Sequence, residues 1–451
     1  MLKISIIGGG SYLWTFGFVR QFVKSDKLQG AEIVLMDIDK DALDLVGSAT
    51  GLFNKQHGSP IKLQTTTDHD AAFDGADYVI ACISTGGLDS MQFDLEIPEK
   101  YGIYHPVGDT VGPGGWMRAV RNIPVFHDFA AKAKRLCPDA WFINMTNPLT
   151  PLTRVPNRDF GLKVIGMCPG IQETVAELAM LAGVDPSVPK DYVSTGIDHG
   201  AWFTELRAGS VDILQRLKEL GYCESDDANF MHGKPRDEWS PEAASMRAMF
   251  AVWREIGYIP SIRDRHSTEN WPWFLNVQAD PLPYGIVRTF IDERLKGRVD
   301  RKEALSRYVA TEDDSILGEL GHGDDPICTI IECLEGHGSY MWSANMPNVG
   351  QIPGFPDGSV LETRCRFDAA GVHPMASPMP DILKTTVLPQ VIRQETILDI
   401  ALTGSFDELV ALMTTDPLCC RLPMGKVREM VREMVTAQKQ WIQNSRLLEF
   451  T

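Results

Sequence analysis

Near its N-terminus the chain reads ISIIGGGS (residues 4–11), an apolar, strand-forming run that ends in three glycines and a serine. A helical pattern follows, with its large apolar residues on one side. Glycines allow a tight turn here and let backbone N–H groups approach a pyrophosphate at the helix N-terminus. Leu13 replaces the third glycine of the Gly-x-Gly-x-x-Gly pattern. The stretch still predicts a dinucleotide site lined by Gly8, Gly9, Gly10 and Ser11.

The second predicted strand, Glu32–Met36, ends in Asp37. A carboxylate at this distance accepts hydrogen bonds from an adenosine ribose, and its charge would repel the extra phosphate of NADP. We therefore predict NAD as the cofactor. A later strand runs into the loop Cys82–Gly87, where Ser84 and Thr85 are candidates for the edge of the same cofactor site. An ordinary turn between strand and helix explains that loop equally well.

Strands and helices alternate over the first 190 residues. Further strands are predicted at Lys62–Thr66, Tyr78–Ile83, Trp141–Asn144 and Val164–Met167, and helices at Asp41–Phe53, Met117–Leu136 and near Pro148–Val155. This alternation is typical of the α/β class and predicts a Rossmann-type, doubly wound parallel sheet with helices on both faces.

The pattern changes after about residue 190. Two strands, Tyr192–Gly196 and Trp202–Leu206, are followed by helical patterns near Pro241–Glu255, Ile286–Glu293, Lys302–Val309 and Ile382–Leu402, and from Lys426 onward. We predict an NAD-binding domain over residues 1–190. Residues 191–451 are predicted to form an α+β domain for substrate, metal and oligomer contacts, on a scaffold like that of lactate and malate dehydrogenases.

The composition narrows the function classes only a little. The 451 residues include 43 Lys+Arg and 60 Asp+Glu, a net charge of −17, which argues against binding to nucleic acid or to an anionic membrane. No run approaches the roughly 20 apolar residues of a spanning helix. The N-terminus lacks a signal-peptide pattern, and the nine scattered cysteines favour reduced thiols, so we expect a cytoplasmic protein.

Polar residues also follow several later strands, in segments that contain Asp109, Asn147, Cys168, and Asp198 with His199. Ligands of open α/β sheets bind outside the carboxyl ends of the strands, so these segments are expected to meet beside the nicotinamide. A thiolate and an imidazole suit a transition metal. Two ligands do not by themselves make a site, and a buried thiol with a core imidazole explains Cys168 and His199 as well.

The chain nevertheless resembles a known family, the NAD- and metal-dependent glycosidases of glycoside hydrolase family 4. The resemblance rests on the order of several motifs between Lys3 and Glu362: the Gly8–Ser11 turn, DTVGPGGWMRAVR (109–121), Thr146-Asn147-Pro148, Cys168, Asp198-His199…Trp202, Asp264-Arg265-His266, Asn345…Asn348-Val349-Gly350-Gln351, and Val360-Leu361-Glu362. The stretches YGIYHPVGDTVGPGGWMRAVR (101–121) and GYIPSIRDRH (257–266) look most like the branch that acts on galacturonides and glucuronides.

The resemblance implies hydrolysis of an α-glycoside by oxidoreduction. NAD would take a hydride from C3 of the sugar, a base would remove the C2 proton, the C1 leaving group would be eliminated, water would add, and the hydride would return. A divalent metal, usually Mn²⁺, would hold the C2 and C3 oxygens. By position, Cys168 and His199 would be the metal ligands and Asn147 would hold sugar hydroxyls, with Asp109 as a further substrate-binding candidate.

The resemblance leaves the proton-transfer groups open. Asp264 is the candidate for the C2 base and Tyr258 is the alternative, while an ordinary carboxylate paired with Arg263 or Arg265 explains Asp264 equally well. Many members carry His or Asp after the metal-binding cysteine, but Pro169 stands here and cannot donate a proton. Asp198 replaces the usual asparagine and is a candidate third ligand, a partner that orients His199, or the acid.

Arginines suit the recognition of a sugar carboxylate. Arg118, Arg121, Arg263 and Arg265 are the basic candidates, and Arg118 and Arg265 are assigned to substrate binding. At least one of the pair Arg118 and Arg121, which lie three residues apart on one helix face, is expected to bind a carboxylate of the protein itself. His105, His127 and His266 are expected to be structural. Homodimers or homotetramers are common in the family. Two other functions remain open: an NAD-dependent dehydrogenase of a hydroxy acid or sugar acid, and a noncatalytic NAD or sugar-acid sensor.

Overall fold

The computed structural model describes residues 1–223, 230–231, 234–235, 245–275, 282–320 and 325–450. Its strands are β1 Lys3–Ile7, β2 Glu32–Met36, β3 Lys62–Thr66, β4 Tyr78–Ala81, β5 Trp141–Asn144, β6 Lys163–Gly166, β7 Lys190–Gly196, β8 Trp202–Ala208, β9 Val211–Asp212, β10 Phe230–Met231, β11 Lys234–Pro235, β12 Ile259–Pro260, β13 Tyr340–Pro347, β14 Val360–Asp368 and β15 Gly371–Pro374.

The helices cover both faces of one large sheet. They are α1 Thr15–Lys24, α2 Lys40–Gln56, α3 His69–Phe73, α4 Gly87–Lys100, α5 Gly112–Leu136, α6 Leu149–Phe160, α7 Gly170–Leu181, α8 Ile213–Glu219, α9 Arg247–Ile256, α10 Asp264–Ser267, α11 Ile291–Thr311, α12 Ile327–Leu334, α13 Asp381–Thr403, α14 Phe406–Thr414 and α15 Met424–Gln438. Among the described residues, none of the helices is at once long enough and apolar enough to cross a bilayer.

The first six strands pair in parallel in the order β3-β2-β1-β4-β5-β6. This is the strand order of a dinucleotide-binding, doubly wound sheet. The chain first adds strands on one side of β1 and then, from β4 onward, on its other side, so the topological switch point lies between β1 and β4. The predicted Rossmann-type sheet is therefore confirmed. Because the carboxyl ends of parallel strands share one edge of a sheet, the loops after β1, β2, β4, β5 and β6 meet at that edge.

The sheet then continues through antiparallel strands. β13 joins β6 through the pair Asn345 and Gly166, and β14, β7, β8 and β12 follow, with β15 and β9 on the side. The sequence did not predict strands β13 to β15. The sheet runs on across residue 190 without a break, and the division of the chain into residues 1–190 and 191–451 stays a prediction.

The two faces of the sheet have separate apolar cores, because successive side chains of a strand point to opposite faces. On one face, Trp116 and Met117 of α5 are buried in one cluster with Val391 of α13 and Met430 of α15. On the other, the ring of Phe16 in α1 lies 5.7 Å from those of Phe53 in α2 and Tyr308 in α11. The last helices of the chain therefore return to cover helices of its first half.

Several predicted helices begin at other residues than expected. α5 starts at Gly112 rather than Met117, because Gly112 adopts φ +70° and Pro113 fits the first turn. The prediction of a helix over Ile286–Glu293 is wrong for residues 286–290, since Phe290 is extended and α11 begins only after it. Of the helix predicted near Pro241–Glu255, residues 241–244 lie outside the described residues, and α9 begins at Arg247.

Candidate active site

The glycine turn after β1 is packed so closely that side chains do not fit. The amides of Gly8 and Gly9 donate to the carbonyl of Met36 at 2.9 and 2.8 Å. Gly8 has φ +97°, and a Cβ there would lie 2.0 Å from the carbonyl oxygen of Cys82. The turn is thus held against the ends of β2 and β4, at the N-terminal end of α1. This is the arrangement that brings backbone close to a bound phosphate group.

Asp37 lies beside that turn, at the end of β2. Its Oδ2 accepts from the amide of Gly10 at 2.8 Å, and its Oδ1 accepts from the amide of Asp39 at 3.0 Å. A carboxylate has about four lone-pair sites, so each oxygen can accept another hydrogen bond. Ser11 is tied to the same turn through its amide, which donates to the carbonyl of Gly8. The structure therefore brings the turn residues and Asp37 together.

The loop with Ser84 and Thr85 is fixed by helix α5. The amide of Thr85 donates to Oδ1 of Asn122 at 3.0 Å, and its carbonyl accepts from Nε of Arg121 at 3.3 Å. The side chain of Ser84 is exposed. Arg121 also makes two parallel hydrogen bonds to Asp94, at 2.8 and 2.7 Å, and both side chains are buried. The expectation that at least one arginine of α5 binds a carboxylate of the protein is confirmed.

Cys168 and His199 are brought together at the ends of β6 and β7. The Sγ of Cys168 lies 3.5 Å from Nε2 of His199, and Oδ2 of Asp198 lies 3.7 Å from the same nitrogen. These three ligand atoms all lie within 4.8 Å of one another. Burial, followed by the charge of Asp198, raises the pKa of the Cys168 thiol well above its ordinary value. A thiolate here therefore needs a nearby cation.

Asp198 and His199 carry two further signs of a binding site. The Asp198 side chain is completely buried, and within the described part of the chain neither of its oxygens has a hydrogen bond of good geometry, although the Cys168 thiol beside it acts to lower its pKa. His199 adopts φ +59°, which is uncommon for a residue other than glycine, and its carbonyl accepts from Nδ2 of Asn270 at 2.7 Å. Buried unpaired carboxylates and strained backbone are both costly, and they concentrate at functional sites.

A second group of side chains meets the opposite side of the His199 ring. Nδ2 of Asn147 donates to Oδ2 of Asp109 at 3.0 Å, and the hydroxyl of Thr110 lies 2.8 Å from both Oδ1 of Asp109 and Nδ1 of His199. Burial acts to raise the pKa of Asp109, but the nearby His266, His199 and Arg118 outweigh it and lower that pKa below the ordinary value. Through these hydrogen bonds Asp109 and Thr110 connect Asn147 to the ring of His199.

His266 belongs to this second group, although the sequence analysis predicted a structural role for it. Its ring centroid lies 4.0 Å from that of His199, and its buried Nδ1 has no hydrogen-bond partner among the residues that the structure describes. Burial and the neighbouring His199 hold the pKa of His266 well below its usual value. Asp109, His199 and His266 form a second set of possible ligand atoms within 4.8 Å. The only sequence signal was the place of His266 in the motif shared with the family.

Behind Asp198, two further polar residues were missed by the sequence analysis except as landmarks of the resemblance. Glu362 of β14 lies directly opposite Asn345 of β13 in the sheet. Oε1 of Glu362 and both amide atoms of Asn345 are buried without a well-formed hydrogen bond to any described residue, although Asn345 acts to lower the pKa of Glu362. Burial, and then the charge of Asp198, raises the pKa of Glu362 well above its ordinary value. The interior at this end of the sheet is thus polar rather than a packed apolar core.

Asp264 has a structural task. Its Oδ2 and Oδ1 accept from the amides of Ala248 and Met249, both at 2.9 Å, in the first turn of α9. Burial raises the pKa of Asp264 to about 7, although these two amides act to lower it. Tyr258 is half-buried against the larger apolar cluster. Neither observation tests the predicted base, and Asp264 and Tyr258 stay predictions for that role.

The arginines divide into two kinds. Arg263 binds Glu173 and Glu177, so the alternative that it pairs with Asp264 is wrong. Arg265 does not pair with Asp264 either: its Nη2 donates to the hydroxyl of Thr289 at 2.6 Å, and its buried Nε has no partner in the described part of the chain. Arg118 donates from Nε to the carbonyl of Asn147 at 3.0 Å. Arg118 acts to lower the pKa of Asp109, and Asp109 in turn acts to raise the pKa of both Arg118 and Arg265. These two arginines therefore place positive charge near Asp109.

Comparison with known proteins decides the family. A model described as family 4 glycosyl hydrolase matches residues 3–184, and one described as the C-terminal domain of that family matches residues 194–419, half of the chain by itself. The chain belongs to family 4 of the glycosyl hydrolases. The resemblance found in the sequence of this family 4 chain is therefore confirmed.

Curated relatives of this family 4 chain span nearly its whole length. An α-galacturonidase of Thermoanaerobacterium saccharolyticum is 32% identical, with 98% of this chain and 96% of the relative covered. An α-galacturonidase of Lachnoclostridium phytofermentans is 30% identical, with 98% and 97% covered. An α-galactosidase of Rhizobium meliloti is 27% identical, with 98% and 89% covered.

Solved structures agree on the fold. A putative glucosidase of Bacillus subtilis superposes with a TM-score of 0.83 at 27% identity, covering 96% of this chain and 99% of that one. A 6-phospho-α-glucosidase from gut microorganisms, in complex with NAD and Mn²⁺, gives 0.79 at 19% identity, with 98% and 99% covered. A malate dehydrogenase of Plasmodium falciparum gives 0.50 at 13% identity, with 91% and 100% covered, which confirms the dehydrogenase-like scaffold of this family 4 chain.

Proposed function

We propose that this chain hydrolyses an α-glycoside of a uronic acid, with an α-galacturonide as the first candidate, and that it uses bound NAD and Mn²⁺ or another divalent metal. The observation that carries the proposal is the meeting of the Cys168 thiol, the His199 imidazole and the unpaired Asp198 carboxylate beside a dinucleotide-type glycine turn. Relatives named α-galacturonidase, at 32% and 30% identity, supply the substrate class.

The residues at the cofactor end fit NAD. The Gly8 turn leaves no room for a Cβ, which is the close backbone approach that a pyrophosphate needs. Asp37 ends β2 with a lone pair free on each carboxylate oxygen, as the ribose hydroxyls of NAD require. Its negative charge disfavours the 2′-phosphate of NADP.

The donor set at the other end fits a divalent metal. Thiolate, imidazole and carboxylate are ligands that suit first-row transition metals. An unpaired buried carboxylate is costly, and a bound cation would offset that cost at Asp198. Binding of the cation would also convert the Cys168 thiol to a thiolate and release a proton.

When bound, NAD supplies reversible hydride transfer at a sugar carbon and the metal polarises the adjacent sugar oxygens. The residues of this chain orient the sugar for that chemistry. Asn147 and Asp109 supply a donor and an acceptor for its hydroxyl groups. The unpaired Nε of Arg265, together with Arg118, provides positive charge for the uronate carboxylate.

The proton-transfer roles remain predictions of the sequence. Asp264 and Tyr258 are the candidates for the C2 base. Asp198 is the candidate for the acid that Pro169 cannot supply, and for a third metal ligand. Since one carboxylate does not serve freely as both ligand and acid, the role of Asp198 in metal binding is the one that its distance to His199 supports best.

Further parts of the proposal concern the whole protein. We propose that residues 1–190 hold the NAD, that residues 191–451 hold most of the substrate and oligomer contacts, and that the protein works in the cytoplasm as a homodimer or homotetramer. No nucleic acid or membrane partner is proposed, in keeping with the net charge of −17.

The test is a panel of 4-nitrophenyl glycosides with acidic, neutral and phosphorylated sugars, assayed with NAD⁺, Mn²⁺ and a thiol reductant. We expect cleavage of the α-galacturonide, dependent on both cofactors, with no net NADH absorbance because the hydride returns to the sugar. Net NADH from a free sugar acid, without cleavage of any glycoside, would favour the dehydrogenase. No reaction with any member of the panel would overturn the proposal.

A further inference from the structure

The hydroxyl of Thr110 lies between two groups of the candidate active site. Its Oγ1 is 2.8 Å from Oδ1 of Asp109 and 2.8 Å from Nδ1 of His199. Thr110 is only 1% exposed, so bulk solvent does not compete with these two partners for its hydroxyl. The hydroxyl has a single proton and can donate it to one of the two partners only.

The chemistry of Asp109 decides the direction of that proton. Both oxygens of Asp109 are acceptors in this arrangement, Oδ2 from Nδ2 of Asn147 and Oδ1 from the hydroxyl of Thr110. Thr110 therefore donates to Oδ1 of Asp109. Its contact with His199 is then a hydrogen bond only if Nδ1 of His199 carries a proton and donates to Oγ1 of Thr110. A neutral imidazole with a proton on Nδ1 has a bare lone pair on Nε2.

That lone pair faces the other group of the site, since Nε2 of His199 lies 3.5 Å from Sγ of Cys168 and 3.7 Å from Oδ2 of Asp198. A metal ligand must present a bare nitrogen, and the partner of the opposite nitrogen sets which one is bare. We propose that Thr110, supported by Asp109, is a positioning residue that holds His199 as the Nδ1–H tautomer and so presents Nε2 to the metal. This inference rests on the proposed function, in which Cys168 and His199 bind that metal.

Both ends of this hydrogen-bonded chain are fixed by the fold. The loop before Thr110 is held by the buried carboxylate of Glu269, which accepts from the amides of Val107 and Gly108 at 2.9 and 2.7 Å. Helix α5 packs on the backbone of Thr110, where a Cβ on Gly115 would lie 2.4 Å from the carbonyl carbon. His199 is anchored through its carbonyl to Asn270. The hydroxyl and the imidazole are therefore placed by rigid backbone.

The first experiment reads the tautomer in the metal-free, full-length protein. Nitrogen-15 NMR of histidine-labelled protein distinguishes a protonated from a bare ring nitrogen, and the His199 signals are identified by their loss in His199→Gln. We expect Nδ1–H in the wild type and in Thr110→Ser, which keeps the hydroxyl. A proton on Nε2 of His199 in the wild type would overturn the inference, and this readout needs neither metal nor substrate.

The second experiment measures Mn²⁺ affinity from the electron paramagnetic resonance signal of free Mn²⁺. We expect Thr110→Val to bind Mn²⁺ about 10- to 100-fold more weakly, as is usual when the partner behind a ligating histidine is lost, and Thr110→Ser to bind as the wild type does. Thr50→Val is the control, because Thr50 is also buried and its hydroxyl donates to the carbonyl of Val46 in α2.

The outcomes separate the two proposals. Unchanged Mn²⁺ affinity in Thr110→Val, or equal loss in Thr110→Ser, would overturn the positioning role. If the wild type binds no Mn²⁺ at all, the metal part of the proposed function fails, and the NMR result still decides the tautomer. Should Thr110→Val not fold, the wild type and Thr110→Ser together carry the test.

Discussion

The carboxylate of Asp198 lies 3.7 Å from Nε2 of His199, and no described residue gives either of its oxygens a hydrogen bond of good geometry, although the neighbouring Cys168 thiol acts to lower its pKa. The pair lies beside the Cys168 thiol, in an interior that also contains the unpaired side chains of Asn345 and Glu362. A folded chain tolerates such a cluster when a ligand completes it. The first two predictions follow from this relationship.

Cys168→Ser is expected to weaken Mn²⁺ binding at least about 10-fold, because a hydroxyl is a far poorer anionic ligand than a thiolate. Equilibrium dialysis of the metal-free protein measures this directly. Cys137→Ser is the control, since Cys137 is another free cysteine but lies at the C-terminal end of α5, away from the site. Equal affinity in Cys168→Ser and the wild type would show that Cys168 is not a ligand.

Asp198→Asn is expected to change how stability depends on pH. Burial raises the pKa of Asp198, with His199 opposing the rise and Asp109 adding to it. The folded state therefore binds this proton more tightly than the unfolded chain does, and the free energy of unfolding of the metal-free wild type falls as pH rises from about 4 through the folded pKa.

The variant lacks that carboxyl and should lose this part of the slope. Above the folded pKa of Asp198 it should be more stable than the metal-free wild type, by about 1–3 kcal/mol, because a buried charge is removed. Urea unfolding at several pH values measures both effects. Its Mn²⁺ affinity should fall at the same time. A variant with the slope and stability of the wild type would contradict the prediction.

Arg265→Gln is expected to reduce kcat/KM for a uronide about 10- to 100-fold, the size of a charge-assisted hydrogen bond, and to leave a neutral glycoside of the same aglycone nearly unaffected. Arg263→Gln is a close control, because Arg263 lies two residues away and binds Glu173 and Glu177 instead. Equal losses on acidic and neutral substrates would show that Arg265 does not recognise the carboxylate.

The Asp264→Asn variant distinguishes a role of Asp264 in capping helix α9 from a role as the base that removes the C2 proton. Both oxygens of Asp264 accept amides of α9, so the variant should lose about 0.5–2 kcal/mol of stability, as other capping residues do. If Asp264 is the C2 base, exchange of the C2 proton with deuterated solvent should also fall steeply. Exchange that persists, after correction for the folded fraction, would assign Asp264 to the cap alone and leave Tyr258 to be tested.

The sequence predicted those parts of the site that directly follow recognisable strands. The turn at Gly8 and the carboxylate of Asp37 follow strands whose apolar runs are visible in the sequence, so their meeting at one sheet edge could be predicted. Cys168 and His199 were found through the family resemblance, because nothing local shows that β6 and β7, separated in the sheet by β13 and β14, bring them together.

Other features depend on geometry that the sequence does not display. The position of the Thr110 hydroxyl follows from the start of α5 at Gly112. The φ of +70° at Gly112 is set by tertiary packing and not by the local sequence. His266 becomes relevant only because its ring lies 4.0 Å from that of His199. The cap made by Asp264 requires α9 to begin beside α10, and no periodicity in the chain indicates that contact.

The return of the last helices onto the first half also bears on how the protein can be divided. Gln438, at the end of α15, donates to Oδ1 of Asp94 at 3.0 Å and contacts the same Arg121 that supports Thr85. A fragment ending at residue 190 would expose the apolar side of α5 and remove the contacts that Gln438 makes with the paired Asp94 and Arg121. We therefore expect the two halves of this chain to be inherited or lost together. The cofactor-binding half is not expected to be exchanged between proteins as an independent domain.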